Sequence, residues 1–300
     1  MKARSQKGMT LIEVMLALFL FGLLAAFVIQ IMDSVLNLWS AGERRGRGDL
    51  VYASTVERFR GDLRAMHTGP RGWMIVDSWE IPGSEDGDPS TFMPRLRFLA
   101  DGASLPSIEP TGQAAVEIMW SLVPEVPGSP VNRLVRFAQV ENPSAPLQDP
   151  RVAREMLRSG TGLVVMDGVL WTEFAVQDGG VRSTDYRADS YQPFHFPSSV
   201  ELVVDHVSGS ARKHPPLLDN GMSNEPSSIK LRGSGPLKMP AMVLVEEEWI
   251  SVGGRFPSIS FHGRGQRGTL PREHAARSEV FFPTRYASHS PVPAGGRRLP

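Results

Sequence analysis

Residues Lys7 to Met32 read KGMTLIEVMLALFLFGLLAAFVIQIM. From Met9 onward the run exceeds the ~20 apolar residues that carry a helix across a bilayer core, and a leader holding Lys2, Arg4 and Lys7 precedes it. The length predicts a membrane-spanning helix over 9–32. Its single carboxylate, Glu13, is the informative residue. A carboxylate within hydrocarbon costs on the order of 2.5–3.5 kcal/mol on the most lenient scale, so such a group has a partner or a task. The stretch also suits a signal anchor with one Glu near its cytoplasmic end. A cleaved secretory signal fits less well, because Leu24-Ala25-Ala26 is a poor small-x-small site and the apolar run continues past it.

Gly8, Met9, Thr10, Leu11, Ile12 and Glu13, behind their basic leader, resemble the processing motif of type IV prepilins and type II secretion pseudopilins. The resemblance implies cleavage by a prepilin peptidase between Gly8 and Met9 and methylation of the new amino group of Met9, which stands where the family usually has Phe. Cleavage would leave an ammonium and the Glu13 carboxylate in lipid, each costly alone and neutralised when paired. One helical turn separates the two, so the pair could form within one chain. The resemblance implies instead that Glu13 faces the N-terminus of an adjacent subunit. Lys2, Arg4 and Lys7 before the span balance Arg44, Arg45 and Arg47 after it, so charge alone does not orient the helix. The resemblance implies a single-pass protein of the inner membrane with its C-terminal domain in the periplasm.

Beyond the span the chain is β-rich in pattern. The fold class expected is α+β, a long N-terminal helix packed on a mainly antiparallel sheet. Five segments follow: a leader at 1–8, the span at 9–32, a soluble continuation of the helix at 33–67, a pilin-like β-rich domain at 68–262, and a partly disordered Arg/Pro/Gly-rich tail at 263–300. Gly42, Gly46 and Gly48 predict a weak joint, each costing about 1 kcal/mol against Ala. Past it Tyr52, Val56, Phe59, Leu63 and Met66 recur at helical spacing as a core stripe, with Glu57, Arg58, Arg60, Asp62 and Arg64 assigned to other faces.

Strand-like runs follow at Trp73–Trp79, Leu96–Ala100, Val116–Val123 and Asn132–Val140. In the third, Val116, Ile118, Trp120 and Leu122 alternate with Glu117, Met119 and Ser121, as a half-buried strand does. Leu163–Met166 and Val169–Val176 flank Asp167-Gly168, a hairpin signal. Val200, Leu202 and Val204 share one face of a further strand, and Ala241–Val252 is a late one. The succession LRFLAD, VEIMWSLV, NRLVRFA, MDGVLWTEFAVQD and PSSVELVVD, over Met9 to Asp205, is similar to the J-type minor pseudopilin of type II secretion. Residues 206–240 and 263–300 read as additions to that pattern. The resemblance implies other minor and major pseudopilins as partners, I- and K-type subunits among them, together with prepilin peptidase, the inner-membrane assembly platform and membrane lipid. No Pro occurs between Met9 and Met32, whereas many major pilins carry one, which points to a minor component.

A formal net charge of zero and the lack of a strongly basic domain argue against nucleic acid as the main partner. The absence of cysteine removes disulfides, thiolate metal sites and Cys nucleophiles. G-x-S-x-G, Walker and H-E-x-x-H motifs are missing, so no catalytic residue and no cofactor are assigned. His67, His195, His206, His214, His262, His274 and His289 are scattered and read as surface residues. Glu85, Asp86 and Asp88 around Gly87 could collect Ca²⁺ through carboxylate oxygens; the same run suits a hairpin tip. In the tail, Arg264, Arg267, Arg272, Arg277, Arg285, Arg297 and Arg298 outnumber Glu273 and Glu279. That imbalance suits either an arm docking on an acidic partner subunit or a solvated terminus, with Val280-Phe281-Phe282 as its one apolar anchor. The function expected is a non-enzymatic minor pseudopilin of a type II secretion pseudopilus, in its tip or initiation complex. The alternatives are a minor type IV pilin priming a pilus for adhesion, motility or DNA uptake and, from another class, a signal-anchored periplasmic hydrolase.

Overall fold

The computed structural model describes residues 11–81, 91–101, 115–126, 128–188, 196–223, 228–233, 235–236 and 239–293. The chain divides into two compact units at Leu50/Val51. Helix α1 (Leu11–Arg64) begins in the first and ends in the second, and its backbone is helical through Gly42, Gly46 and Gly48, where the sequence predicts a weak joint.

In the second unit the chain runs through β1 (Met74–Ile81), β2 (Thr91–Asp101), β3 (Ala115–Pro124), β4 (Asn132–Val140), α2 (Pro150–Ser159), β5 (Leu163–Asp178), β6 (Val181–Ser183), β7 (Tyr186–Ala188) and β8 (Ser199–His206). It continues through α3 (Gly209–Lys213), β9 (Leu217–Leu218), β10 (Ser228–Arg232), β11 (Met242–Val245), β12 (Glu248–Arg255), β13 (Ser258–Gln266), β14 (Val280–Phe281) and β15 (Thr284–Pro291). The first sheet has the order β15-β8-β5-β4-β3-β2-β1-β7, with β6 on β5. The second has the order β14-β11-β12-β13-β10-β9. The recorded strand pairs are antiparallel, so the α+β class expected from the sequence is the one observed.

One face of the first sheet receives the end of α1. Phe59 and Leu63, four residues apart on one helical stripe, and Met66, which follows the helix and bridges Ala100, are buried among Phe98, Ile118, Trp120, Leu134, Phe174 and Leu202. Phe59 meets Trp120 edge-on, with ring centroids 5.3 Å apart and planes at 89°. The opposite face is covered too, by an element the sequence reading passed over. Ala153 and Leu157 of α2, with Leu147, pack on Ile75, Leu99, Met119, Val135 and Phe137. Glu117, Met119 and Ser121 are therefore buried, and the half-buried β3 inferred from alternation is corrected to a strand covered on both faces. Alternation assigns residues to faces; it does not say whether the second face meets water.

Three further readings change. Asp167-Gly168 does not turn a hairpin, because β5 runs straight through it. Gly168, at φ 71°, supplies an irregularity: Leu163, Val164 and Met166 before it pair with β4, Val169 pairs with both β4 and β8, and the residues from Trp171 onward pair with β8. Ala241–Val252 is itself a hairpin, β11 to β12, turning at Glu246-Glu247. Residues 263–293, expected to belong to a partly disordered tail, are built into both sheets. They supply the end of β13 and all of β14 and β15, and β15 pairs with β8 from Thr284↔His206 to Pro291↔Ser199. Tyr286 stacks on Tyr52 of α1 at 4.6 Å.

Four of the seven arginines counted in the tail hold acids elsewhere in the chain. Arg267 and Arg285 both grip the buried Asp205, Arg264 grips Glu248, and Arg272 reaches Glu247. The Arg267 guanidinium also lies over two indoles, 4.0 Å from the Trp249 ring centre and 5.3 Å from that of Trp171. Because Trp171 belongs to the first sheet and Trp249 to the second, Arg267 fastens one sheet to the other. Val131, Leu170 and Val207 meet Leu244, Trp249 and Phe281 along the same seam.

Candidate functional site

In the N-terminal unit, Val14–Leu36 is an apolar helical stretch of 23 residues whose most apolar part is nowhere buried. At 1.5 Å per residue it is about 34 Å long, against a hydrocarbon core of ~30 Å. Its large apolar side chains are uncovered, from Phe21 at 70 % exposure down to Val14 at 43 %. The Ser34 hydroxyl donates to the Gln30 carbonyl one turn earlier at 2.9 Å, so this polar group is satisfied by its own helix. A helix of this build suggests a membrane anchor. Glu13 lies in its first described turn, with helical backbone. Lys2, Arg4, Lys7, Gly8 and Met9 lie outside the described residues, as do the candidate calcium ligands Glu85, Asp86 and Asp88.

Residues 3–29 match the model of the prokaryotic N-terminal methylation motif. The chain has a type IV pilin-like N-terminus. The matched span contains Gly8, Met9 and Glu13 together with most of the apolar helix. No curated protein and no solved structure matches the chain.

Two buried ionic clusters in the second unit escaped the sequence reading. Asp62, assigned from periodicity to an outer face, is 5 % exposed. It receives the Arg136 guanidinium twice, at 2.6 and 2.8 Å, and the Trp120 indole N–H at 2.9 Å. Trp120 and Arg136 are cross-strand neighbours on β3 and β4, so a carboxylate from α1 is held by two strands at once. A signal was present: Leu134, Arg136 and Ala138 alternate on one face of β4, and an arginine on an apolar face requires a carboxylate from whatever covers it.

The second cluster forms around Glu248, whose side chain is fully buried. It accepts from both arms of Arg264 at 2.6 Å, from the Gly265 and Arg272 backbone N–H groups at 3.0 Å, and from His274 Nε2 at 2.9 Å. His274 Nδ1 lies 2.8 Å from Glu246, which also accepts from the Ser278 hydroxyl at 2.7 Å. Burial alone would raise the Glu248 carboxyl, but the bonds from Arg264, His274 and the two N–H groups outweigh it and hold the group at about 2. Burial likewise works against the His274 cation, yet bonding to Glu248 and Glu246 shifts the imidazole upward. His274 is thus a buried residue, contrary to its reading as a surface histidine. With a carboxylate at each ring nitrogen, both nitrogens act as donors to an acid. Neither is left to take a proton from Ser278, whose hydroxyl points at Glu246 and the Ala275 carbonyl. The cluster bolts the β12–β13 end of the second sheet to residues 272–278; it is not arranged as a nucleophile with its base.

Proposed function

We propose that the protein is a minor pseudopilin, a non-enzymatic structural subunit that helps to start or cap a type II secretion pseudopilus. The observation that carries this reading is the methylation motif at residues 3–29, continued by an apolar helix whose side chains no other part of the described protein covers. In this reading prepilin peptidase cuts between Gly8 and Met9, Met9 is methylated, and the helix holds the chain in the inner membrane lipid with the β-rich unit in the periplasm. Glu13 then pairs with the N-terminal ammonium of a neighbouring subunit on the assembly platform. The succession of strands over Met9 to Asp205 supports the J-type branch, with I- and K-type subunits as neighbours. A minor type IV pilin would share the same N-terminal chemistry. Genes for a secretion ATPase and secretin beside this one, as opposed to twitching-motility genes, would separate the two.

The test is mass spectrometry of the full chain from membranes, followed by Glu13→Val. The expected N-terminus is N-methylated Met9, and Glu13→Val is expected to be cleaved and inserted normally but to enter filaments poorly. Truncating one member of a buried ion pair costs roughly 3–5 kcal/mol, enough to deplete the assembly. A mature N-terminus elsewhere, or one left unmethylated beside methylated sister subunits, would refute the reading.

A further inference from the structure

Helix α2 is an amphipathic cover whose two faces do different work. Asp149 caps its start by accepting from the Arg151 N–H at 2.8 Å, Pro150 occupies its first turn, and Gly160 at φ 67° ends it. Ala153 and Leu157 face the sheet. The face turned away carries Arg151, Arg154 and Arg158, at offsets of three and seven residues, with Glu155 and Ser159 beside them. The stripe runs about 10 Å along the helix.

These three arginines differ from most others in the second unit. Arg95 and Arg97 hold Asp77, Arg182 holds Glu173 and Glu201, and Arg285 holds Asp205. Among the described residues, none of Arg151, Arg154 and Arg158 has an acid or any other side-chain partner. The segment that delivers them is fixed by buried charges. The Arg97 guanidinium, 2 % exposed, donates to the Leu147 carbonyl at 2.5 Å and the Gln148 carbonyl at 3.2 Å. Buried Glu117 accepts from the Leu147 N–H at 3.1 Å. Burying charged groups contributes little net stability but fixes geometry, and here it fixes the residues immediately before α2. Three unpaired guanidinium groups are thus presented in register on a pre-positioned helix.

We propose that this outward face of α2 is a docking surface for an acidic face on the soluble domain of a sister pilin-like subunit. The proposal rests on the assembly reading above. Charge order selects a protein partner over a polyphosphate. Glu155 sits within the stripe and would repel a continuous run of phosphates, whereas an acidic protein face bearing one basic residue matches the sequence plus, plus, minus, plus. Guanidinium forks engage carboxylates two bonds at a time, which gives such a contact direction as well as charge complementarity.

The test uses the full-length chain, co-produced with its sister subunits in membranes. Because the protein has no cysteine, Ser159→Cys provides a single thiol at the edge of the stripe for a maleimide–benzophenone label. Irradiation and peptide mass spectrometry are expected to recover an Asp/Glu-rich peptide from the soluble domain of another pilin-like subunit. Raising salt from low to high concentration, or adding R151E/R154E/R158E, is expected to lower the yield about tenfold, the size expected for three partly solvated ion pairs. Should the triple variant fold poorly, R151Q/R154Q/R158Q and the salt series on Ser159→Cys carry the test. Labelling of lipid or nucleic acid, or a protein cross-link indifferent to salt and to charge reversal, would overturn the proposal. A second label at Leu16→Cys in the apolar helix reports co-assembly independently. If it reaches sister subunits while Ser159→Cys does not, the docking face is refuted and the assembly reading stands. If neither reaches them, both fall.

Discussion

Asp62→Ala is the sharpest probe of how α1 is held on the sheet. The substitution removes a carboxylate that receives two bonds from Arg136 and one from Trp120, and both donors are almost completely buried. Leaving the Arg136 charge without its partner costs roughly 3–5 kcal/mol, and the orphaned indole N–H adds about 1 kcal/mol or more. Against a total stability of about 5–15 kcal/mol for a typical domain, that loss would leave a large unfolded fraction on mild heating. Arg136→Met should be similarly harmful alone, because it strands the Asp62 carboxylate. The double variant Asp62→Ala/Arg136→Met removes both charges and should recover much of the loss, with a coupling of about 2–3 kcal/mol. Urea unfolding of the full chain in detergent, followed by tryptophan fluorescence, measures all four corners, with Trp120 itself at the contact. A cost for Asp62→Ala below about 1 kcal/mol, or strictly additive single losses, would refute the latch.

The Glu248 cluster predicts a pH optimum for the second sheet. A carboxyl held at about 2 in the fold, against 4.5 when free, contributes stability that is full above about pH 4.5 and lost as pH falls toward 2, worth roughly 3 kcal/mol. His274, raised in the fold, contributes below about pH 6.5 and loses that contribution as pH rises through its shifted value. Melting temperature against pH should therefore flatten on the acid side in Glu248→Gln and on the alkaline side in His274→Gln; unchanged profiles would contradict the network. Gly168→Ala should destabilise by about 1–3 kcal/mol, since φ is 71° and a Cβ would lie 2.8 Å from the Val207 carbonyl oxygen. Its thermal midpoint checks this, and a gain in stability would be the opposing result. Removal of residues 263–300 should abolish cooperative unfolding, because it deletes β14 and the whole of β15; a truncated protein that melts like the full chain would show the tail to be dispensable.

How much was legible in the sequence follows the range of the interactions. The core positions Phe59, Leu63 and Met66 and the runs that become the six strands β1 to β5 and β8 announce themselves through local period, and the structure keeps them. The N-terminal methylation motif lies in one contiguous stretch, so its resemblance is visible without geometry. Helix α2 carried legible marks, Asp149-Pro150 at its start and Gly160 at its end, but its ten residues sit among prolines and glycines that suggest loop. The tail was misjudged for a different reason. A count of charges between 263 and 300 sees arginines without acids, whereas Arg285 pairs with Asp205 and Arg264 with Glu248. Pairings between distant segments leave no trace in a local window; for Arg136 its place on the apolar face of β4 called for a carboxylate, but nothing local named Asp62 as the one.

The pairing of β8 with β15 sets how the second sheet is joined to the first. The chain leaves the large sheet after His206 and re-enters at Thr284, and those two residues are opposite one another across adjacent antiparallel strands. A two-residue turn would close such neighbours. Residues 207–283 are thus a detour spliced into the tip of a hairpin. The detour has its own apolar centre in Ile229, Val243, Ile250, Ile259 and Val280, so once folded it returns its ends to the same place and spares the hairpin most of the entropy of closing a long, slack loop. An accessory module inserted in this way can be lengthened, reshaped or exchanged while every strand of the host sheet keeps its partner.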